Sequence, residues 1–392
     1  MLGVVHVITR LDLGGAQENT LDSASRMDPE RFRTALIYGP GGMLDEDARR
    51  LRHVHQEVLP SLLRELSPKD FAGLLALRNA IGRAKRALRA RGAERILVHT
   101  HGSKAGVLGR AAAHALGVDW IVHTIHGFGF HAGQPRAVFE AYVAAERAAA
   151  RVTDVFVSVS RASLAEAIAR GIVTDAHRRT VIRSGFDLGP FLRAASERVA
   201  ARQDLLVPQD AEIFASVANL KSQKDPLTLV DAFAEVASSN PRAMLLFAGD
   251  GELRAQVERR IRGHELGGRF RLLGWRRDVA KVFAAADVIV LSSIFEGLPR
   301  SAVQAIAARR PVVATRVDGT PEVVREGKNG FLVEPSDSRA LAKAMQRAIV
   351  ERPVDPEDAR RVQAFDVRVM VERLEGLYEA LDGRCNFPVE AS

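Results

Sequence analysis

In FEGLPRSAVQ, residues 295–304, Glu296 stands where an apolar run, ADVIVLSS, passes into a helix-like stretch. Pro299 suits the first turn of that helix, where its missing N–H would have no intrahelical partner. A helix N-terminus presents free backbone N–H groups and a partial positive charge, so the main chain at Gly297 and Leu298 can approach an anionic or hydroxyl-rich ligand. Glu296 then either accepts hydrogen bonds from such a ligand or simply complements the helix dipole.

Five histidines, His99, His101, His123, His126 and His131, fall in two short segments, THGSKAGVLGR with its preceding H and HTIHGFGFH. An H-x-H pair on a strand puts both imidazoles on one face, so a metal site has to be weighed. No cysteine or obvious carboxylate joins them, and histidines near strand ends commonly serve as hydrogen-bonding groups, so no metal is expected. The D-E-D at 45–47 follows GPGGM and reads as the opening of a helix rather than as metal ligands. Two phenylalanines, Phe128 and Phe130, alternate with glycines beside His126; with His131 they either line an acceptor pocket, the reading preferred here, or anchor a loop in the core.

These residues need a scaffold, and the periodicity supplies one. Apolar runs of strand length alternate with helical patterns: GVVHVIT, RTALIYG, RILVHTH, WIVHTIHG, VFVSVS and RTVIRSG, then IFASVAN, MLLFAGDG, RFRLLGW, DVIVLSS, PVVATRV and GFLVEP. That is the rhythm of parallel sheets with crossover helices. The 392 residues suit two such α/β domains in tandem, over 1–187 and 208–364, joined by a charged linker at 188–207. A final segment, 365–392, begins with the helix-like FDVRVMVERLEGLYEAL. Neither domain opens on G-x-G-x-x-G, and no P-loop motif occurs, so the standard dinucleotide and NTPase readings lose support. Open α/β sheets bind ligands beyond the carboxyl ends of their strands.

Composition narrows the partners. Cys385 is the one cysteine, which excludes a disulfide framework within the chain and fits a reducing cytoplasm. The first strand-length run lacks a basic leader and a small-residue cleavage site, and no segment reaches transmembrane length. Of a formal net charge of +8, most lies in residues 1–190, which hold 26 Lys/Arg against 19 Asp/Glu. A basic first half calls for an anionic partner: a phosphate-bearing substrate or a membrane surface. Nucleic acid fits poorly, since no zinc finger, aromatic RNA-binding pattern or lysine-rich tail is present. The stretch 71–92 carries Leu74, Leu77, Ile81, Ala84 and Leu88 on one helical stripe with Arg78, Lys85, Arg86 and Arg89 beside it. Its apolar side should dock on the sheet and its basic flank is the candidate lipid contact.

LDLGGAQ (11–17), THGSKAGVLGR (100–110), HTIHGFGFH (123–131), VIRSGFD (181–187), ANLKSQKDP (218–226), AGDGELR (248–254) and FEGLPRSAVQAIA (295–307) occur in one order along nearly the whole chain. In that order they resemble the retaining GT-B-fold glycosyltransferases of family 4, of the bacterial polysaccharide-assembly type. The resemblance implies two Rossmann-like domains facing a central cleft, with the C-terminal helix crossing back to the first. It implies a nucleoside diphosphate sugar as donor, a UDP-sugar by family frequency, and a lipid-linked (undecaprenyl-type) or glycan acceptor. It also implies work at the cytoplasmic face of the membrane, with no metal and no other cofactor. Catalytic roles fall on His126, Lys224 and Glu296. Glu296 matches the first glutamate of the family's E-x7-E motif, which holds donor-sugar hydroxyls; the second, a ribose ligand, is Gln304 here. Lys224 matches the family's phosphate-binding lysine, whereas the accompanying arginine is Asn219, with Lys221 nearby. Gly14 and Gly15 would bring main-chain N–H groups to the same phosphates, or form a tight turn only. Retention in such enzymes implies front-face attack in which the leaving phosphate takes the acceptor proton, so no protein nucleophile is required. Two other readings stay open: a GT-B-fold sugar-nucleotide epimerase, and a donor-binding partner subunit without activity.

Overall fold

Each of the twelve apolar runs becomes a strand of a parallel sheet. The structure is a computed structural model that describes residues 1–62, 70–131 and 133–386. Two units divide the chain, Met1–Phe186 with Val367–Ser392, and Asp187–Asp366. Among the described residues the first unit carries β1 (Leu2–Arg10), β2 (Phe32–Gly39), β3 (His55–Val58), β4 (Arg95–His101), β5 (Trp120–Ile125), β6 (Val155–Ser158) and β7 (Arg178–Val181). They lie side by side in the order β3-β2-β1-β4-β5-β6-β7, every pair parallel. The edge strand β3, His-Gln-Glu-Val, has no apolar alternation and only partial burial, so periodicity does not reveal it.

Both faces of this sheet are covered, which is why its strands read as continuous apolar runs. On one face the helix Asp70–Ala90 buries Leu77, Ile81, Ala84 and Leu88 against Val5, Val7, Ile96 and Val98, as its stripe predicts. On the other, the C-terminal helix Val367–Leu381 packs Leu374, Leu377, Tyr378 and Leu381 on Leu2, Val4, Leu97 and Val122. Burial of this kind stabilises by about 25 cal/mol per Å² of apolar surface removed from water. The chain leaves the first unit at Phe186 and returns beside it, where the Val367 N–H donates to the Phe186 carbonyl at 3.1 Å. The helix expected to cross back therefore does so, starting at Val367.

The second unit carries β8 (Glu212–Val217), β9 (Ala243–Ala248), β10 (Phe270–Gly274), β11 (Val288–Leu291), β12 (Val312–Thr315) and β13 (Gly330–Val333). Their order is β10-β9-β8-β11-β12-β13, again all parallel. Residues 188–207, expected as a linker, instead form the helices Gly189–Ala194 and Arg198–Asp204 of this unit. The reason is Arg202. It is fully buried, donates to the carbonyls of Ala285 at 3.0 Å and Ala211 at 2.8 Å, and pairs with Asp287 at 2.7 Å. A charged residue that is paired and saturated with hydrogen bonds behaves as core, which a charge count reads as solvent-facing. Among the described residues no helix is long and apolar enough to cross a membrane.

Candidate active site

The strand orders decide where ligands can sit. In the first sheet the order reverses between β1 and β4, and in the second between β8 and β11. At such switch points adjacent loops diverge and leave a crevice beyond the carboxyl ends of the strands. Gly14 and Gly15 follow β1, while Asn219 and Lys224 follow β8 and Glu296 follows β11. His126 follows β5, the next strand beyond β4.

In the second unit Lys224 closes a short 3-10 turn, Ser222–Lys224, and its ammonium pairs with the Glu296 carboxylate. The Ser293 hydroxyl donates to the same carboxylate oxygen at 2.7 Å. Glu296 is only 9% exposed, so the pair is held in a largely dry setting where charge interactions are strong. The glutamate thus bonds across the switch point, and the helix-dipole role is not the one its carboxylate takes. Pro299 is the N-cap residue, in extended conformation, of the helix Arg300–Ala307, one position earlier than expected. Gln304 lies half-buried on that helix, Gly297 is half-buried and Leu298 is buried. The Glu296 N–H donates to Asp318 at 2.6 Å. Ser293 and Asp318 belong to this site without a motif of their own; only a serine at a strand end and a D-G turn mark them.

The loop bearing Asn219 and Lys224 is clamped by the AGDG turn. Leu220 N–H donates to the Asp250 carbonyl and Leu253 N–H to the Leu220 carbonyl, both at 3.0 Å. Gly249 has φ +142, and a Cβ there would lie 1.9 Å from the Ala218 carbonyl oxygen. Only glycine permits so close a backbone approach. Ser292 ties the same loop to the end of β11, its hydroxyl donating to the Lys224 carbonyl at 2.7 Å.

In the first unit Gly14 is the N-cap of the helix Gly15–Arg26, with extended backbone, so the two glycines open a helix as expected. Asp45 begins the helix Asp45–Arg49 and accepts from the Gly41 N–H at 2.8 Å, which bears out the helix-opening reading of D-E-D. Phe130 is buried and packs on Phe139 at 5.0 Å, with Phe128 stacked on it at 4.5 Å. Phe130 therefore anchors the loop in the core, contrary to the acceptor-pocket expectation, because its ring is enclosed by aromatic neighbours. Phe128 and His131 are half-buried.

The histidines are joined by one that the sequence reading passes over. His6 on β1 lies in register with His99 on β4. Its Nδ1 is 3.1 Å from His101 Nε2, and His101 Nδ1 is 3.0 Å from His126 Nε2. His99 bonds Tyr378 and, at 2.6 Å, Thr124; His123 bonds Thr100 at 2.9 Å on the opposite sheet face. His6, His99 and His101 offer ligand atoms within 4.8 Å of one another. Both nitrogens of His99 and His101 already hydrogen-bond, so a cation would have to displace those bonds. Burial pushes His6 and His126 down to about 3, and drives His99, His101 and His123 well below the usual imidazole range, helped by the repulsion that any two protonated rings of the cluster would meet and, at His123, by the Arg110 guanidinium. All five are neutral near pH 7.

The family model for glycosyl transferase 4-like domains matches residues 14–185, and that for glycosyl transferases group 1 matches 197–364. A UDP-Gal:alpha-D-GlcNAc-diphosphoundecaprenol alpha-1,3-galactosyltransferase of Escherichia coli is 28% identical, covering 96% of both chains. A D-inositol 3-phosphate glycosyltransferase of Streptomyces scabiei is 30% identical over 64% of this chain and 59% of its own. Among solved structures, HepE of Anabaena in complex with UDP-glucose has TM-score 0.78 at 22% identity, covering 96% of this chain and 99% of its own. Sucrose-phosphate synthase of Thermosynechococcus elongatus has TM-score 0.84 at 23% identity, covering 98% and 100%. Two parallel α/β units with these strand orders and these matches make the chain a member of the GT-B glycosyltransferases of family 4 type.

Proposed function

We propose that the chain is a retaining, metal-independent hexosyltransferase that moves a sugar from a UDP-sugar to a lipid-linked or glycan acceptor at the inner face of a membrane, in polysaccharide assembly. The observation that carries this reading is the Lys224–Glu296 pair, braced by Ser293 at the β8/β11 switch point. Lys224 stabilises the negative charge that the diphosphate gains as the glycosidic bond breaks. Glu296 accepts hydrogen bonds from donor-sugar hydroxyls, and Gln304 from ribose through its amide oxygen. Asn219 supplies a neutral donor where the family carries arginine. The acceptor hydroxyl attacks the sugar carbon from the face the phosphate leaves, and the departing phosphate oxygen takes its proton. In the first unit the catalytic role falls on His126. The E. coli relative, whose name specifies a UDP-sugar and a diphosphoundecaprenol acceptor, supports these substrate classes.

The test mixes the protein with a panel of nucleotide sugars, with and without polyprenyl diphosphate acceptors and with and without EDTA. Expected are nucleotide release only with acceptor, an unchanged anomeric configuration in the product, and full activity under chelation. Loss of activity restored by Mn²⁺ or Zn²⁺ overturns metal independence and returns attention to His6, His99 and His101. Donor turnover without acceptor, with altered sugar stereochemistry, establishes an epimerase. Donor binding without turnover supports an inactive partner subunit, the reading that the neutral Asn219 and Gln304 leave open.

A further inference from the structure

Strand β11 ends at Leu291, and from there to Glu296 the chain has no strand pairing among the described residues. Its main-chain polar groups need partners from elsewhere. The loops after β8 and β12, the two strands that flank β11 in the sheet, supply them. From the β8 side, the Gln223 carbonyl accepts from the Ile294 N–H at 2.8 Å, and the Gln223 side-chain amide donates to the Phe295 carbonyl at 2.9 Å. From the β12 side, the Thr315 hydroxyl donates to the Ser293 carbonyl, and the Asp318 carboxylate accepts from the Glu296 N–H at 2.6 Å.

Two of these bonds fall on one peptide. The Phe295 carbonyl and the Glu296 N–H belong to the same planar unit and point opposite ways, so Gln223 grips one end while Asp318 grips the other. Turning that plane would break both bonds, and each polarises the peptide in favour of the other. Asp318 is exposed, with a left-handed backbone at φ +39, a conformation that a side chain disfavours, aspartate less than most. Leu206, Glu265, Arg309 and Arg352 share it but follow helix ends, where it is the ordinary stop. Asp318 follows a strand instead, and the 3-10 turn after it, Thr320–Glu322, has no side-chain cap. The bond its strained backbone makes possible is the one to Glu296.

We propose that Gln223 and Asp318 are positioning residues for sugar transfer: they lock the Phe295–Glu296 peptide between them, and the locked peptide holds the Glu296 carboxylate against Lys224 and Ser293. The inference rests on the sugar-transfer reading, which gives Glu296 a substrate to meet. Gln223 precedes Lys224 in the turn Ser222–Lys224, so the lock also fixes the two partners of the ion pair relative to each other. Neither residue needs to touch the sugar; each acts through the main chain of Glu296.

The test uses the full chain labelled with ¹⁵N-glutamate, the Glu296 amide signal being assigned by its absence from the Glu296→Ala spectrum. Gln223→Met keeps the length of the side chain but has no N–H for Phe295, and Asp318→Gly accepts the left-handed backbone but has no carboxylate. Each should shift the Glu296 amide signal, leave UDP affinity by calorimetry within about twofold of the wild type, and lower kcat/KM about tenfold, as a misplaced catalytic group does. Added to Glu296→Ala, either should cost nothing further, because a carboxylate that is gone cannot be misplaced. Asp318→Asn, whose amide oxygen still accepts, should keep most of the rate. Full transfer by either single variant overturns the proposal. So does an equal loss in the Glu296→Ala background, or a parallel loss of UDP affinity, since a merely structural role gives both. If one single variant fails to fold, the other carries the same cycle. An unmoved Glu296 signal in variants of an active enzyme counts against the lock alone. No transfer by the wild type with any nucleotide sugar, with the signal moving as expected, overturns the sugar-transfer reading and the role of the lock with it.

Discussion

At the scale of single residues, the second unit concentrates its chemistry in one ion pair. Glu296→Ala removes the acceptor for sugar hydroxyls and leaves the Lys224 ammonium without its partner. Transfer should drop at least tenfold, about 1.4 kcal/mol of transition-state stabilisation, with the far-ultraviolet dichroism unchanged; near-normal kcat/KM would reduce the residue to a structural brace for Lys224. Gln304 offers a complementary experiment. A carboxylate accepts stronger hydrogen bonds from a ribose diol than an amide oxygen does, so Gln304→Glu should match or exceed wild-type UDP affinity in calorimetry. A large loss in a folded variant would show that position 304 faces phosphate or apolar groups. Much of this site was legible in the sequence because Lys224 and Glu296 sit in motifs that mark strand-to-helix loops. Ser293, Asp318 and His6 were not, since each acts only through a neighbour brought in by another strand: Ser293 and Asp318 through Glu296, His6 through His101.

Secondary-structure elements carry the next layer. The helix Asp70–Ala90 turns Leu77, Ile81, Ala84 and Leu88 inward as its periodicity requires and leaves Arg78, Arg86 and Arg89 exposed, with Leu75 beside them at 49% exposure. Lys85 is half-buried and donates to the Leu116 carbonyl at 3.2 Å, so the basic flank is narrower than the sequence suggests. Each arginine near an anionic surface contributes at most about 1 kcal/mol, screened beyond roughly 10 Å at 0.1 M salt. The protein should co-sediment with vesicles containing phosphatidylglycerol more than with neutral ones. Arg78→Gln, Arg86→Gln and Arg89→Gln together should narrow that difference, and adding Lys85→Gln should change little further. Indifference of the wild type to lipid charge would point to a soluble acceptor.

Across the whole molecule, the two units differ most in their histidines. The five neutral imidazoles, four of them buried and His126 half-buried, all lie in the first unit, whereas His264 of the second is exposed and hydrogen-bonds Asp231 at 2.8 Å. Folded-state values near 3 for His6 and His126 lie below the unfolded value of about 6.5, so between them the unfolded chain binds more protons. The stability these neutral rings permit is whole above about pH 6.5 and is lost as pH falls towards 3, by up to ~1.4 kcal/mol per pH unit for each. The first unit should therefore unfold in mild acid before the second. Trp120 lies on β5 of the first unit and Trp275 follows β10 in the second, so Trp275→Phe and Trp120→Phe variants report the units separately by fluorescence. A single transition at one pH in both variants would contradict the assignment.

The sequence by itself determined that there are two parallel α/β units, because strands buried on both faces must be apolar throughout and crossover helices must carry one apolar stripe. The apolar spacing of the last helix required only some apolar face to pack on; its return to the first unit was implied by the family resemblance, and the packing on Leu2, Val4, Leu97 and Val122 bears it out. Local periodicity reaches no further. That residues 188–207 are part of a core, that Phe130 is an anchor, and that His6 joins His101 were decided by tertiary structure alone. Each depends on which strands lie side by side, and neighbours such as β1 and β4 are separated by some ninety residues of chain.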